Sequence, residues 1–416
     1  MGTYPLLLEL AGRRVVVVGG GAVALRRVTG LRAAGASVAV VAPVVSPEIT
    51  ELSEVAVSLR GYEDGDLAGA WLAHACTDDP VVNAAVAAEA ARLRIPCVRA
   101  DDPAGGSART PAVARTGDLV VAVGSAGDPD PGRVRAVRDA VALLLETGEL
   151  PLRRRRSGPG RVALVGGGPG APGLITVRGR RLLAEADVVV VDRLAPRALL
   201  DRLDPDVEVV DVGKTPHGAG PTQADISALL VERAGRGLRV VRLKGGDPFV
   251  LGRGGEEVAA CVAAGVPVEV VPGVTSAVAG PAAAGIPVTH RGVAADFAVV
   301  SGHVEPGAVP GSAPGSVIDW QALADGPATL VLLMALDRVG AAAAELVKRG
   351  RPGTTPVAVV RRATLPDQQV LVATLDTVGA AVAEAGLRPP AVVVVGEVVG
   401  LRDRLWGGSP PLSYPI

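Results

Sequence analysis

Two stretches of the sequence place a run of mostly β-branched apolar residues directly before three glycines. The first run is Arg14–Val18, followed by Gly19-Gly20-Gly21, a helical stretch over about Ala22–Ala34 and a second apolar run at Ser37–Val41. A strand, a tight glycine turn, a helix and a further strand make one βαβ unit, which requires a parallel sheet. The second run starts at Arg161 and reads RVALVGGGPGAPG. Its flanking sequence does not repeat the first, so we infer no duplication.

Further apolar runs of strand length recur along the chain. Before residue 150 they are Trp71–Ala75, Pro96–Arg99 and Leu119–Val123, with an alanine-rich helix at Val81–Leu93. After residue 160 they are Val188–Asp192, Arg239–Leu243, Pro267–Val271, Phe297–Ser301, Thr329–Leu333, Pro356–Val360 and Ala391–Gly396. Aromatic residues make up only 2% of the chain although 49% is hydrophobic, so Val, Leu and Ala must build cores of buried parallel strands covered by helices.

These patterns predict an α/β fold in three parts. A Rossmann-like domain is expected at 1–147, an exposed linker at 148–160, and an α/β region at 161–405 large enough for two subdomains with a cleft between them. The linker contains Arg153–Arg156, which is either a solvated charge run or a site for an anionic partner.

Charge and cysteine content narrow the class of protein. A net charge of −1 argues against a general binder of nucleic acid or membrane surfaces. Three cysteines without paired spacing fit a reducing cytoplasm, and no signal peptide or membrane span is visible. Only three of the 42 basic residues are lysines, at positions 214, 244 and 348, and the first two stand in glycine-flanked motifs. This pattern suggests that those two positions need more than a positive charge.

The first glycine turn suggests a nucleotide site. Glycines let the backbone turn tightly and approach a pyrophosphate at the helix N-terminus, although a merely structural turn has the same composition. The second strand ends in VAPVV, without the acidic residue that usually binds an NAD ribose.

Aspartates follow two later apolar runs of the N-terminal part. Thr77-Asp78-Asp79 is either a ligand-binding edge or a helix N-cap, and both can hold together. Asp101 is either a turn residue or a carboxylate beside a nicotinamide, where it would act as a general base or as a metal ligand.

Residues 1–147 resemble the precorrin-2 dehydrogenase/sirohydrochlorin ferrochelatase module. The resemblance rests on YPLLLELAGRRVVVVGGGAVALRR, on Cys76-Thr77-Asp78-Asp79, and on the aspartate before PAGGSARTP. It implies NAD as cofactor and Fe²⁺ as a further substrate, with Asp101 serving both reactions and Ser125 at the edge of the site. The implied NAD contacts are Gly19, Gly20, Gly21, Ala22, Val23, Pro43 and Val44. Long members carry a helical segment after this module, where only about 25 residues (133–157) are available here.

Residues 160–405 resemble uroporphyrinogen-III C-methyltransferases. The motifs VGGGPGAPGLIT, VVDRL, VGK, RVVRLKGGDPFVLGRGGEE, VVPGVTSAVAGPAAAGIPVTHR, SGH and LLMAL occur in the family's order. The resemblance implies S-adenosylmethionine contacts at Pro169, Gly245, Gly246, Asp247, Val250, Thr275, Ser276, Met334 and Ala363. Met334 can also be a core residue. The family commonly has glycine at position 363, and alanine should cost little there unless φ is positive.

The resemblance also implies an acid/base pair, with Asp192 as proton acceptor and Lys214 as proton donor. The substrate carries eight carboxylates, for which Arg193, Arg242, Arg253 and Arg291 are candidates, although each is individually more typical of a surface residue. The spacing of His217, His290 and His303 does not indicate a metal site.

The whole chain therefore resembles the siroheme synthases. The implied function is methylation of uroporphyrinogen III to precorrin-2, then NAD-dependent oxidation to sirohydrochlorin and insertion of Fe²⁺, by a cytoplasmic homodimer. One alternative is a methyltransferase for cobalamin or siroheme precursors with a non-catalytic nucleotide-binding N-terminal module. Another makes that module a nucleotide-sensing or oligomerising domain.

Overall fold

The structure, a computed structural model, describes residues 3–117, 119–127, 130–150, 152–153, 159–213, 220–303 and 318–407. The chain divides into two compact units, Met1–Leu143 and Leu144–Ile416. Among the described residues, none of the helices combines the length and the apolar character that crossing a membrane requires.

The first unit contains a parallel sheet of five strands. Its strands are β1 (Arg14–Val18), β2 (Ser37–Val41), β3 (Val55–Ser58), β4 (Leu72–Ala75) and β5 (Cys97–Arg99), in the order β3-β2-β1-β4-β5. The connecting helices are α1 (Ala22–Ala33), α2 (Pro47–Thr50) and α3 (Pro80–Arg92). An antiparallel hairpin of β6 (Ala112–Thr116) and β7 (Leu119–Val123) follows, and then α4 (Pro131–Glu146).

The central strand β1 shows why this sequence forms a doubly covered sheet. Val15 and Val17 pack into the core that includes α1, whereas Val16 and Val18 pack into a second core on the opposite face. All four side chains are buried. A strand buried on both faces needs a continuous apolar run rather than an alternating one, which is what RVVVV supplies.

The second unit begins with another parallel sheet. Its strands are β8 (Arg161–Gly166), β9 (Val188–Val191), β10 (Glu208–Asp211), β11 (Arg239–Lys244) and β12 (Val268–Val271), in the order β10-β9-β11-β8-β12. Its helices are α5 (Val177–Ala184), α6 (Gln223–Gly235), α7 (Gly254–Ala263) and α8 (Ser276–Ala283).

A mixed sheet completes the second unit. Its strands are β13 (Phe297–Ser301), β14 (Thr329–Leu333), β15 (Pro356–Arg361), β16 (Gln369–Thr374) and β17 (Ala391–Val395), in the order β13-β14-β17-β15-β16. Its helices are α9 (Trp320–Asp325), α10 (Val339–Lys348), α11 (Val378–Glu384) and α12 (Leu401–Trp406). Among the described strand pairs of this sheet, β13–β14 is parallel and the others are antiparallel. The apolar runs predicted four of these strands, all except β16, but not their antiparallel pairing, because a buried run reads the same in either direction.

Part of the stretch predicted as an exposed linker packs within the second unit. The Glu149 carboxylate lies 3.1 Å from the Arg180 guanidinium, and Leu152 is buried and donates its backbone N–H to Ala184. Arg153 makes an ion pair with Asp187 at 3.1 Å. At Arg153 the expectation of a solvated charge or an anion site is therefore wrong, because the side chain is already neutralised within its own unit. Residues 154–156 lie outside the described residues.

Candidate functional site

The glycine turn after β1 is shaped by close packing against two neighbouring loops. Gly19 has φ +126°, and a Cβ there would lie 2.5 Å from the Cys76 carbonyl oxygen. A Cβ on Gly20 would lie 2.0 Å from the Val44 carbonyl oxygen. Both positions therefore require glycine for structural reasons alone.

Gly21 is different, because none of the described residues lies within 4 Å of the position of its absent Cβ. It is the N-cap of α1, and no side chain in the described part of the chain caps the first N–H groups of that helix. The strand order also reverses at β1, which places the crevice of an open α/β sheet at this edge. Uncapped N–H groups beside open space are suited to a phosphate anion.

The other predicted NAD contacts line the same edge of the sheet. Ala22 begins α1 and is exposed, and Val23 is half-buried beside it. Pro43 and Val44 follow β2 and are exposed, Val44 to 80%. They offer an apolar surface beside the glycine turn.

Asp101 follows β5 and is held by a charged neighbour. Arg99 approaches its two carboxylate oxygens at 3.2 and 2.6 Å, and this pairing lowers the pKa of Asp101 to about 2. Asn83, which is fully buried, also bonds to Asp101 and accepts the backbone N–H of Thr77. Asp101 is therefore held in an ion pair within its own turn, and the sequence held no signal for Asn83 or for the Arg99 pairing.

The Thr77-Asp78-Asp79 stretch serves at least as a helix start. Asp79 is the N-cap of α3 and accepts the backbone N–H of Val81 at 2.8 Å. Ser125 follows β7 and is half-buried.

In the second unit three glycine-containing loops converge where β8, β11 and β12 end. Gly168 and Gly246 exchange backbone hydrogen bonds of 3.2 and 2.7 Å. A Cβ on Gly273 would lie 2.2 Å from the Gly246 carbonyl oxygen and 2.7 Å from Gly166 Cα. Side chains at these glycines would push the loops apart, so the sequence motifs encode a close backbone approach.

Asp247 ties two of these loops together. Its Oδ1 accepts the backbone N–H groups of Phe249 and Val250 at 2.8 and 3.2 Å, and its Oδ2 accepts the N–H of Gly273 at 3.0 Å. Close by, Gly246 lies against Ser276, and the side chain of Thr275 caps α8. The structure therefore places Gly245–Asp247 and Thr275-Ser276 in one loop cluster, with Pro169 between Gly168 and Gly170 beside it.

The mixed sheet contributes a second wall to this cluster. The backbone N–H of Ala171 donates to Thr364 Oγ1 at 3.0 Å, which joins the loop after β15 to the loop after β8. Ala363 is buried. Its neighbours Arg362 and Thr364 have left-handed φ values of +48° and +68°, but the φ of Ala363 itself is not left-handed. The methyl group at position 363 therefore causes no backbone strain, as expected.

Met334 follows β14 and lies at the same edge of the sheet as the loop after β15, since both strands run antiparallel to β17. Its side chain is 53% exposed and its φ is +57°, so the alternative of core packing is wrong. Leu251 and Arg253, in the loop after Asp247, also have left-handed backbones. Such conformations cost about 1–3 kcal/mol each and persist where surrounding structure enforces them, often at ligand sites.

A buried cluster of four charged groups lies between β9, β11 and α7. Arg242 donates to Asp192 Oδ1 at 2.6 Å and to Glu257 Oε1 at 3.1 Å. Lys244 Nζ lies 3.2 Å from Glu257 Oε1 and 3.7 Å from Asp192 Oδ2. Arg242, Lys244 and Glu257 are buried, whereas the Asp192 side chain is 30% exposed. Burial and the neighbouring Arg242 lower the pKa of Lys244, against the two carboxylates.

This cluster corrects one candidate. Arg242 was expected among surface arginines available to substrate carboxylates, but its charge is already shared between Asp192 and Glu257. Glu257 was not expected from the sequence. It is the second glutamate of RGGEE, and on a helix it points in a different direction from its exposed neighbour Glu256.

The remaining predicted groups are spread around the cluster. Arg193 and Arg291 are exposed, and Arg253 is paired with Glu256 at 2.8 Å. A Cβ on Gly213 would lie 2.8 Å from Arg193, so the loop after β10 packs beside Asp192. Lys214 and His217 lie outside the described residues. The imidazole Nδ1 of His290 is hydrogen-bonded to the backbone carbonyl of Arg291. The backbone carbonyl of His303 accepts a hydrogen bond from the Arg338 side chain.

Comparison with known proteins identifies the family to which this chain belongs. The profile of the tetrapyrrole (corrin/porphyrin) methylases matches residues 161–379, and that of a putative NAD(P)-binding family matches residues 6–112. The siroheme synthase of Ectopseudomonas mendocina is 38% identical over 455 residues, covering 96% of this chain and 97% of that protein. The siroheme synthase of Methylococcus capsulatus is 36% identical over 465 residues, covering 97% of each.

Among solved structures, uroporphyrin-III C-methyl transferase from Thermus thermophilus, complexed with S-adenosylhomocysteine, is 42% identical. It superposes with a TM-score of 0.50 and covers 61% of this chain and 98% of its own. The alignments with the relatives are longer than the 416 residues of this chain, so the relatives carry segments that it lacks. The predicted α/β fold, with an N-terminal NAD-binding domain before a tetrapyrrole methylase domain, is confirmed. With more than 35% identity over nearly its whole length, the chain belongs to the siroheme synthase family.

Proposed function

We propose that this enzyme acts in siroheme biosynthesis through two linked activities. The second unit methylates uroporphyrinogen III twice to give precorrin-2, and the first unit oxidises precorrin-2 to sirohydrochlorin with NAD⁺. The observation that carries the proposal is the convergence of the three glycine loops of the second unit at one sheet edge, with Asp192 following the strand next to them.

The loop cluster fits S-adenosylmethionine, which when bound supplies an electrophilic methyl group. Glycines keep the backbone of these loops accessible, and Met334 offers an exposed apolar side chain at the opposite wall. Both carboxylate oxygens of Asp247 accept hydrogen bonds from the loop backbones, so the proposed role of Asp247 is to hold the shape of the site. The residues proposed to hold the cofactor are Pro169, Gly245, Gly246, Asp247, Val250, Thr275, Ser276, Met334 and Ala363.

Methyl transfer to a pyrrole carbon asks the protein mainly to align the two reactants and exclude water. The substrate must then lose or shift a proton. Asp192 is proposed as the acceptor, since its carboxylate is the one exposed end of the buried charge cluster. Lys214 is proposed as the donor. Arg193 and Arg291 are exposed and available to the substrate carboxylates.

In the first unit the N-terminus of α1 is proposed to hold NAD, through Gly19, Gly20, Gly21, Ala22, Val23, Pro43 and Val44. Oxidation of precorrin-2 transfers a hydride to NAD⁺ and releases a proton, for which Asp101 is the proposed acceptor. The name of the family implies one further reaction, the insertion of Fe²⁺ into sirohydrochlorin. In that reaction Fe²⁺ is a substrate of the first unit, and sirohydrochlorin releases two protons.

The pairing of Asp101 favours a second candidate, in which the first unit binds nucleotide without catalysis. Both oxygens of Asp101 face Arg99, and a carboxylate with a pKa of about 2 is a weak base at neutral pH. In that case the chain makes precorrin-2 alone.

Stepwise addition of reagents distinguishes the two candidates. Uroporphyrinogen III and S-adenosylmethionine should give the absorption spectrum of precorrin-2, NAD⁺ should then give NADH and sirohydrochlorin, and Fe²⁺ should give siroheme. If authentic precorrin-2 and NAD⁺ give no NADH, and Asp101→Ala has no effect, the dehydrogenase is refuted. The second candidate, a first unit that binds nucleotide without catalysis, then stands. Absence of precorrin-2 itself would refute the methyltransferase.

A homodimer is proposed as the assembly. Arg138 of α4 donates to the Val113 carbonyl of the hairpin at 3.3 Å, and this part of the first unit exposes Leu119, Val137 and Leu143. Exposed apolar side chains in one region are typical of an interface. Sedimentation should give twice the chain mass, and a monomer would contradict the proposal.

A cytoplasmic location is proposed from the thiols. The three cysteines are buried and free, and burial raises the pKa of Cys76 and Cys97 to about 11. Unpaired thiols suit a reducing compartment. Cell fractionation tests the location.

A further inference from the structure

Glu257 is a carboxylate with no solvent access and no part in the function proposed above. It lies on α7 and is surrounded by polar partners: Arg242 Nε and Gln223 Nε2 at 3.1 and 3.0 Å, and Lys244 Nζ at 3.2 and 3.3 Å from its two oxygens. Burying an ionised carboxylate is unfavourable unless it is paired and hydrogen-bonded, as this one is. A chain can avoid that cost with an apolar side chain, so the retained charge calls for a function.

The cations beside Glu257 are also the cations beside Asp192. Arg242 bridges the two carboxylates directly, and Lys244 lies between them. The four groups carry two positive and two negative charges when all are ionised. Only Asp192 reaches solvent, so the cluster is a buried, electrically neutral support that ends in one accessible carboxylate.

We propose that Glu257, acting through Arg242 and Lys244, positions Asp192 and sets its strength as a proton acceptor. Two cations within 4 Å would by themselves make Asp192 a poor base, because they stabilise the ionised carboxylate. The negative charge of Glu257 offsets them. Arg242 and Lys244 then orient Asp192 while leaving it basic enough to accept a proton from the substrate. The inference rests on the proposed role of Asp192 in methylation.

The other charged groups near Asp192 do not replace this support. From β10, Asp211 pairs with Arg197 and accepts the backbone N–H of Gly213. Arg193, next in the chain, is exposed to solvent, which screens its charge. Lys214 lies outside the described residues.

The charge balance makes opposite predictions for two substitutions. Lys244→Met removes a positive charge, so Asp192 should take up a proton at higher pH, and the acid limb of the kcat profile should move up by about one to three pH units. Glu257→Gln removes a negative charge while keeping the shape, so the acid limb should move down and the plateau rate should fall. The double variant K244M/E257Q is neutral again, and its acid limb should return toward the wild-type position.

The experiment measures kcat and KM for methylation of uroporphyrinogen III across pH in the full-length enzyme. Binding of S-adenosylhomocysteine, measured by calorimetry, shows whether each variant is folded. Lys348→Met and Glu384→Gln are the matched controls, since both residues are exposed on other helices, and their profiles should follow the wild type. KM for S-adenosylmethionine should change little in any variant, because the cluster acts on Asp192.

Opposite shifts with recovery in the double variant support the proposal. Equal shifts, no shifts, or losses that add up in the double variant overturn it, because a purely structural cluster predicts such losses. If Lys244→Met does not fold, the direction of the Glu257→Gln shift decides. A wild-type enzyme without methylation activity instead refutes the proposed function, and an acid limb that survives Asp192→Asn refutes the role of Asp192.

Discussion

The contact among three glycines in the second unit gives a prediction that can be worked out from distances. In Gly273→Ala the new Cβ would lie 2.2 Å from the Gly246 carbonyl oxygen and 2.7 Å from Gly166 Cα. The loop after β12 must therefore move by about 1 Å to reach an ordinary contact distance, and overpacking of this kind costs about 1–3 kcal/mol. The same movement stretches the 3.0 Å hydrogen bond from the Gly273 N–H to Asp247, and a bond to a charged acceptor is worth about 1.5–3 kcal/mol.

Because the hydrogen bond is stretched rather than broken, the total lies in the lower part of the summed range, at about 3 kcal/mol, and it should appear in two measurements. If the loops stay displaced, S-adenosylhomocysteine affinity falls by on the order of a hundredfold, since each 1.4 kcal/mol is a factor of about ten. If the loops are forced together, the cost appears as a thermal midpoint lower by roughly 6–12 °C for a unit of this size. Isothermal titration calorimetry and thermal unfolding together account for both.

Gly235→Ala is the matched control, because Gly235 ends α6 and no residue that the structure describes lies within 4 Å of its absent Cβ. Its affinity and thermal midpoint should equal or exceed the wild-type values, since alanine favours a helix. A Gly273→Ala enzyme with unchanged affinity and unchanged midpoint would refute the packing argument and with it the reason for glycine in this motif.

Three further predictions concern the first unit. Gly20→Ala brings a Cβ to 2.0 Å from the Val44 carbonyl oxygen and should weaken NAD⁺ binding at least about tenfold, measured by calorimetry; unchanged binding would contradict the proposed site. Burial lowers the pKa of His74 to about 4, so between pH 6.5 and 4 the unfolded chain binds a proton that the native state does not. Stability should therefore rise with pH across that window by roughly 3 kcal/mol, and His74→Leu should remove that part of the slope in denaturant titrations; an equal slope in both proteins would contradict it. Arg99→Met frees Asp101 and should raise the rate of NADH formation roughly several-fold at neutral pH, with the gain lost when Asp101 is also replaced by Asn; a lower rate would show that Arg99 assists the reaction.

The elements of the fold could largely be predicted from the sequence wherever a strand is buried on both faces. Runs such as Arg14–Val18 and Thr329–Leu333 coincide with strands in the structure, because full burial requires an uninterrupted apolar stretch. The strands at Val55–Ser58, Ala112–Thr116, Glu208–Asp211 and Gln369–Thr374 were not predicted. Their residues are mainly partly exposed, so polar side chains interrupt the apolar pattern.

The same distinction holds for the candidate site. The glycine motifs are visible in the sequence because close backbone approach needs glycine, and Asp101 is visible as an aspartate that follows an apolar run. Asp192 was nominated through the family resemblance alone. Which charges neutralise one another is not visible. Arg242 and Glu257 are 15 residues apart and read as ordinary surface residues until β11 and α7 pack together. Pairing depends on distance in space and on exclusion of water, and only the tertiary structure decides both.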